Sequence, residues 1–108
     1  MKISEEIKLI QDKIISATPV EQIYLFGSHS NGKATEESDY DFYVVLPDDG
    51  VRPVEAVQSI YRSMRGITRK PVDILAGTSE TFNRRAKQLT LEQTIATKGV
   101  LLYEKPRA

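Results

Sequence analysis

A chain of 108 residues, 40% hydrophobic and 28% charged, can bury one modest core and stay in solution, so a single small domain over residues 1–108 is expected. Fifteen basic and fifteen acidic residues cancel, which argues against a bulk polyanion such as duplex DNA and leaves room only for a local basic patch. Cysteine is absent, which excludes disulfides and thiol chemistry and restricts any metal site to oxygen ligands or the single His29.

The opening MKISEEIKLIQDK mixes charged with apolar residues and lacks the apolar core of a signal peptide. No stretch reaches the length of a membrane span, so a cytoplasmic protein is expected. Ser4 can cap a first helix, with Glu5 and Glu6 complementing its dipole, Ile7, Ile10 and Ile14 on one face, and Pro19 at the exit. Ile23–Phe26 is a short apolar strand that stops at Gly27. The segment GSHSNGKATEES reads as a loop with one helical turn at most, and Asp39–Leu46 as a second strand followed by a turn over Pro47–Gly50.

Pro53 suits a first helical position, and a helix to Arg65 carries Val54, Val57, Ile60, Tyr61 and Met64 as its apolar stripe, with Gly66 at the C-cap. Pro71–Ala76 (PVDILA) is a third strand. Helical character returns over Thr78–Lys87 and again from a Thr90-x-x-Gln93 box to Lys98, before Gly99 and a last strand, VLLYE. Alternating α and β elements predict a layered α+β fold, and the helix between the second and third strands permits a parallel pair.

Asp is disfavoured in strands, yet Asp39 and Asp41 sit two apart at the head of the second strand. Residues two apart share a face, about 6.6 Å apart, while Tyr40 and Phe42 turn into the core. Asp73 stands between apolar neighbours, where burying a lone carboxylate is costly. If these strands are adjacent, roughly 4.8 Å apart, three carboxylates converge, and their repulsion calls for a cation. All-oxygen ligation suits Mg²⁺ or Mn²⁺, with two ions about 3.5–4 Å apart clamping a phosphoryl displacement. The second element is Gly27-Ser28, where glycine allows a sharp turn and close approach of phosphates and Ser28 adds a hydroxyl.

The stretch GSHSNGKATEESDYDFYVV resembles the G-S-x(n)-S-D-x-D signature of the DNA polymerase beta-like nucleotidyltransferase superfamily. In length the chain is similar to the minimal nucleotidyltransferase (MNT) branch, and the resemblance runs from the leading helix through VDIL to GVLLYE. It implies a mixed β-sheet flanked by helices. It also implies nucleotide binding by Gly27, Ser28 and Ser38, and a metal and catalytic role for Asp39, Asp41 and Asp73. Asp73 would then ligate the catalytic metal and help activate the attacking hydroxyl. The pattern departs from many MNT members at Ser30 and Asn31, where Ala and Arg are usual; Gly32 is retained.

The resemblance further implies transfer of AMP from ATP to a hydroxyl, aided by two Mg²⁺ ions, and a helical HEPN-family partner carrying the acceptor tyrosine, in an antitoxin role. A homodimer is the other assembly considered. Two rival readings are a non-catalytic antitoxin that masks its partner by contact, and a subunit acting on a small molecule such as an aminoglycoside. His29 reads as a partly exposed loop residue. The clusters Arg62, Arg65, Arg69, Lys70 and Arg84, Arg85, Lys87 read as solvated helix ends or as docking patches.

Overall fold

The computed structural model describes residues 4–35, 38–68 and 70–106. Helix α1 spans Glu5–Ala17, starting where the Ser4 hydroxyl accepts the Ile7 N–H at 3.2 Å. It buries Ile7, Ile10 and Ile14, the face that the spacing predicts. Strand β1 (Gln22–Phe26) leads into a short 3₁₀ turn at Gly27–Ser30, then come strand β2 (Tyr40–Leu46) and helix α2 (Pro53–Ser63). Strand β3 (Val72–Thr78) precedes helices α3 (Ser79–Arg85) and α4 (Leu91–Lys98) and strand β4 (Val100–Glu104). Thr78 and Thr90 cap α3 and α4 by accepting the N–H groups of Thr81 and Gln93. No helix among the described residues is long and apolar enough to cross a membrane.

The four strands form one mixed sheet in the order β3-β2-β1-β4, with β2 and β3 parallel and the other pairs antiparallel. The parallel pair requires a crossover, and α2 supplies it. On one face α1 and α2 press Ile10, Ile14, Ala56 and Ile60 against Ile23, Leu25, Phe42 and Val44, all fully buried. On the other, Phe82 of α3 and Ile95 of α4 cover Tyr43 and Val45. The Tyr43 hydroxyl donates to Glu92 of α4 at 3.3 Å, and Arg85 of α3 meets the same carboxylate at 3.1 Å, so one acidic residue ties both helices to the sheet. Burial first, then the Glu92 charge, pushes the Tyr43 phenol well above its ordinary range.

The apolar stripe read for α2 needs correction. Val54 is 56% exposed and Tyr61 42% exposed, while Ala56, absent from that stripe, is fully buried. The helix also ends at Ser63 rather than Arg65, with Met64–Ile67 forming a turn around Gly66. Tyr61 serves the sheet edge instead, where its hydroxyl accepts the Ile74 N–H at 2.9 Å. That donor faces outward from β3, an edge strand, and the phenol occupies it in place of a foreign strand. We expect Ile60→Ala to cost about 2–5 kcal/mol, as cavity-forming core truncations do. Val54→Ala, on the same sequence stripe, should stay within about 0.5 kcal/mol; urea unfolding of the two variants distinguishes them.

Candidate active site

Register decides which side chains meet. Asp41 of β2 pairs with Asp73 of the parallel β3 on one side and with Phe26 of the antiparallel β1 on the other. Paired residues share a face, so Asp73, Asp41 and Phe26 form a row across the sheet. That face carries α3 and α4 further along, but at this end the carboxylates escape them: Asp41 is half-buried and Asp73 exposed. The cost of burial expected for Asp73 therefore does not arise, because β3 is an edge strand and its apolar sequence is only partly covered. Even Leu75, the next residue on that face, is 39% exposed. Asp39 lies one residue before β2, exposed, and not within the strand as its sequence position suggests.

The electrostatics follow from this placement. The Asp41 carboxyl is raised above its ordinary range, chiefly by burial, then by the charges of Asp73 and Asp39 and by the hydrogen bond that protonated Asp41 gives Asp73; His29 pulls weakly the other way. Negative charge is thus concentrated around Asp41 from two sides. Among the described residues no three His, Asp or Glu side chains close into a ready-made metal cage. A pair of adjacent carboxylates nevertheless matches Mg²⁺, which is ordinarily held by one or two carboxylates, water and substrate phosphates.

Gly27 sets the other wall. Its φ of +75° favours glycine, and a Cβ placed there would lie 2.5 Å from Asp41 Oδ2. The missing side chain lets the Asp41 carboxylate pack directly against the backbone of the turn. Ser30 closes the turn by donating to the Gly27 carbonyl at 2.7 Å. Ser38 accepts the Thr35 N–H through its hydroxyl at 2.9 Å and so shapes the entry to β2. Residues 36 and 37 of the intervening loop, and Arg69 of the first basic cluster, lie outside the described residues.

His29 is more than a loop residue. A carbonyl can only accept, so the contact of its Nε2 with the Ser38 carbonyl at 3.1 Å requires the proton on Nε2. Its ring lies 4.3 Å from that of Tyr40, and Lys70 Nζ sits 5.1 Å from the Tyr40 centroid. The Tyr40 hydroxyl donates to Glu6 of α1 at 2.5 Å; burial, then this bond, pushes the phenol up to about 12. This collar joins the Gly27 turn, the head of β2 and α1 behind the carboxylates. The sequence holds its members at distances that no periodicity links, and only the single His between two motifs hinted at it. Within the basic clusters, Arg85 is engaged by Glu92 and Lys70 by Tyr40.

A mixed sheet with an acidic pair on adjacent strands, opposite a glycine turn, defines a nucleotidyltransferase-type palm. The family profile described as "Polymerase beta, Nucleotidyltransferase" matches residues 8–108. The chain belongs to this family, and nucleotidyl transfer is its reaction class. No curated protein matches the sequence. Among solved structures it is similar to a candidate nucleotidyltransferase of Sulfolobus solfataricus, with TM-score 0.64 and 19% identity over 94% of this chain and 79% of that one. It is also similar to a chain in a crystal structure of a toxin-antitoxin with AMP-PNP, with TM-score 0.61 and 22% identity over 94% of this chain and 75% of that one.

Two outcomes follow from the site's geometry. Folded Asp41 holds its proton more tightly than the unfolded chain does, so its charge weighs against the fold at neutral pH, and that penalty disappears as pH falls through the raised value. Asp41→Asn should therefore stabilise the protein near neutrality, by about 1 kcal/mol, with the gain shrinking in thermal melts taken at progressively lower pH. Gly27→Ala should destabilise it by at least about 1–2 kcal/mol, the cost of forcing an L-residue into the left-handed region, measured by chemical denaturation.

Proposed function

We propose that the chain transfers AMP from ATP to a hydroxyl of a partner protein. The observation that carries this reading is the pairing of Asp41 with Asp73, with the Asp41 carboxylate set against the bare backbone of Gly27. Asp41 and Asp73 would hold Mg²⁺, with Asp39 at their margin. The bound cation would supply charge neutralisation at the α-phosphate and at the departing pyrophosphate. Gly27 and Ser28 would give the triphosphate its approach, since Gly27 puts no side chain over the backbone of the turn next to Asp41. Ser38, bonded to both Thr35 and His29, holds the strand head in place. Asp73, exposed at the edge of the sheet, is accessible to an incoming hydroxyl and would take its proton.

Leu75 is exposed beside Asp73, Leu89 is exposed on the segment between α3 and α4, and Leu91 is exposed at the start of α4. These features suit an acceptor brought by a second protein, and the toxin-antitoxin structure with AMP-PNP supports the same direction. In this reading the partner is a helical HEPN-family protein, the acceptor a tyrosine, and the chain the antitoxin.

Asp73→Asn tests the proposal, because an exposed position tolerates the change without loss of fold. The partner is incubated with ATP and Mg²⁺ and weighed for added AMP. The parent should label it, and the variant should label it at least about a hundredfold more slowly, as when a metal-holding or general-base group is lost. A parent that adds nothing, while both proteins neutralise the partner equally, would replace catalysis with masking by contact.

A further inference from the structure

Beside the carboxylate row lies a recess of about 280 Å³ between the Gly27 turn and the end of α4. Phe26, Gly27 and Gly99 wall it, and Ser30, Asn31 and Lys98 line it. Its position follows from the sheet. Asp73, Asp41 and Phe26 run in register across β3, β2 and β1, and Leu25 pairs with Val100, so Gly99 and Lys98 continue the same end of the sheet beyond β1. At about 4.8 Å per strand, the recess stands one to two strand widths from Asp41. Gly99 permits the close packing there: a Cβ on it would lie 2.6 Å from the Ile95 carbonyl and 3.3 Å from that of Leu25.

Lys98 is the one positively charged side chain among the described residues that line this recess, and no ion pair among those residues engages it. Asn31, across from it, is neutral, and its side-chain oxygen accepts the Lys33 N–H at 3.0 Å. Resting on the function proposed above, a triphosphate with its α-phosphate at Asp41 and Asp73 and its middle beside Gly27 has its far end directed to the recess. In that pose the nucleoside would leave the α-phosphate on the side away from the recess. We propose that Lys98 receives the terminal phosphate and the pyrophosphate that departs.

In the transfer the acceptor oxygen bonds to the α-phosphorus as the bond to the bridging oxygen breaks. That electron pair leaves with pyrophosphate and the hydroxyl proton goes to Asp73. Lys98 takes no part in that proton's transfer and offsets charge alone, which makes it a residue of phosphate recognition.

Titration calorimetry in magnesium buffer tests this with three probes: inorganic pyrophosphate, ATP and AMP. Lys98 is exposed, so Lys98→Gln should fold with an unchanged unfolding midpoint. It should bind pyrophosphate and ATP about tenfold more weakly, the scale of one lost charge-assisted hydrogen bond, and AMP as the parent does. Lys98→Arg should recover most of the loss. Equal pyrophosphate affinity in parent and Lys98→Gln overturns the assignment, and so does an equal loss for AMP, which would give the recess to the nucleoside. A parent that binds neither ATP nor pyrophosphate removes the proposed nucleotide site along with it, a failure distinct from one confined to Lys98.

Discussion

The parallel register between β2 and β3 is the constraint on which the rest depends. It sets Asp41 beside Asp73, and a slip of one residue would send one carboxylate to the opposite face. What prevents the slip lies away from the chemistry. Phe42, Val44 and Leu46 of β2 are fully buried, and Ile74 of β3 is nearly so, all on the face that α1 and α2 cover. Turning any of them outward would expose a large apolar side chain. The hydrophobic face thus fixes the position of the acidic one, and the α2 crossover makes the parallel pairing available.

The same sheet face supports opposite environments at its two ends. Towards the ends of β2 and β3, α3 and α4 enclose Tyr43 and Val45, and a charged group there, Glu92, is held by Tyr43 and Arg85. Towards the head of β2 the helices stop short, and Asp41 and Asp73 are left close together with partial access to water. Repulsion that a closed core would not tolerate persists at this open end, where an incoming cation and phosphate can relieve it. The collar of His29, Tyr40 and Glu6 ties the Gly27 turn and the head of β2 to α1 behind the pair. Family membership is consistent with this division between a well-packed support and an under-packed, acidic working edge.

Much of this was legible in the chain because the signals were local. Ser4 and Thr90 cap helices by short hydrogen bonds within one turn, and the isoleucines of α1 repeat at helical spacing. The errors also had local causes. Val54 and Tyr61 fit a helical stripe but lie at its margins, and the inner face belongs to Ala56 and Ile60 because α2 packs on both α1 and β3. Asp73 looked buried because its neighbours are apolar; an edge strand with a partly open face exposes it.

The sequence by itself determined the order of the elements, the acidic Asp39-x-Asp41 pair with its distant counterpart Asp73, and the glycine turn that precedes them. These depend on residue type and short spacing, which survive without knowledge of the fold. Only the tertiary structure decided that Asp41 packs against the backbone of Gly27, that His29 braces Ser38 and Tyr40, and that Lys98 shares a recess with the Gly27 turn. Each of these joins residues from different elements. Such contacts are created by strand order and register, and periodicity along a single chain does not encode them.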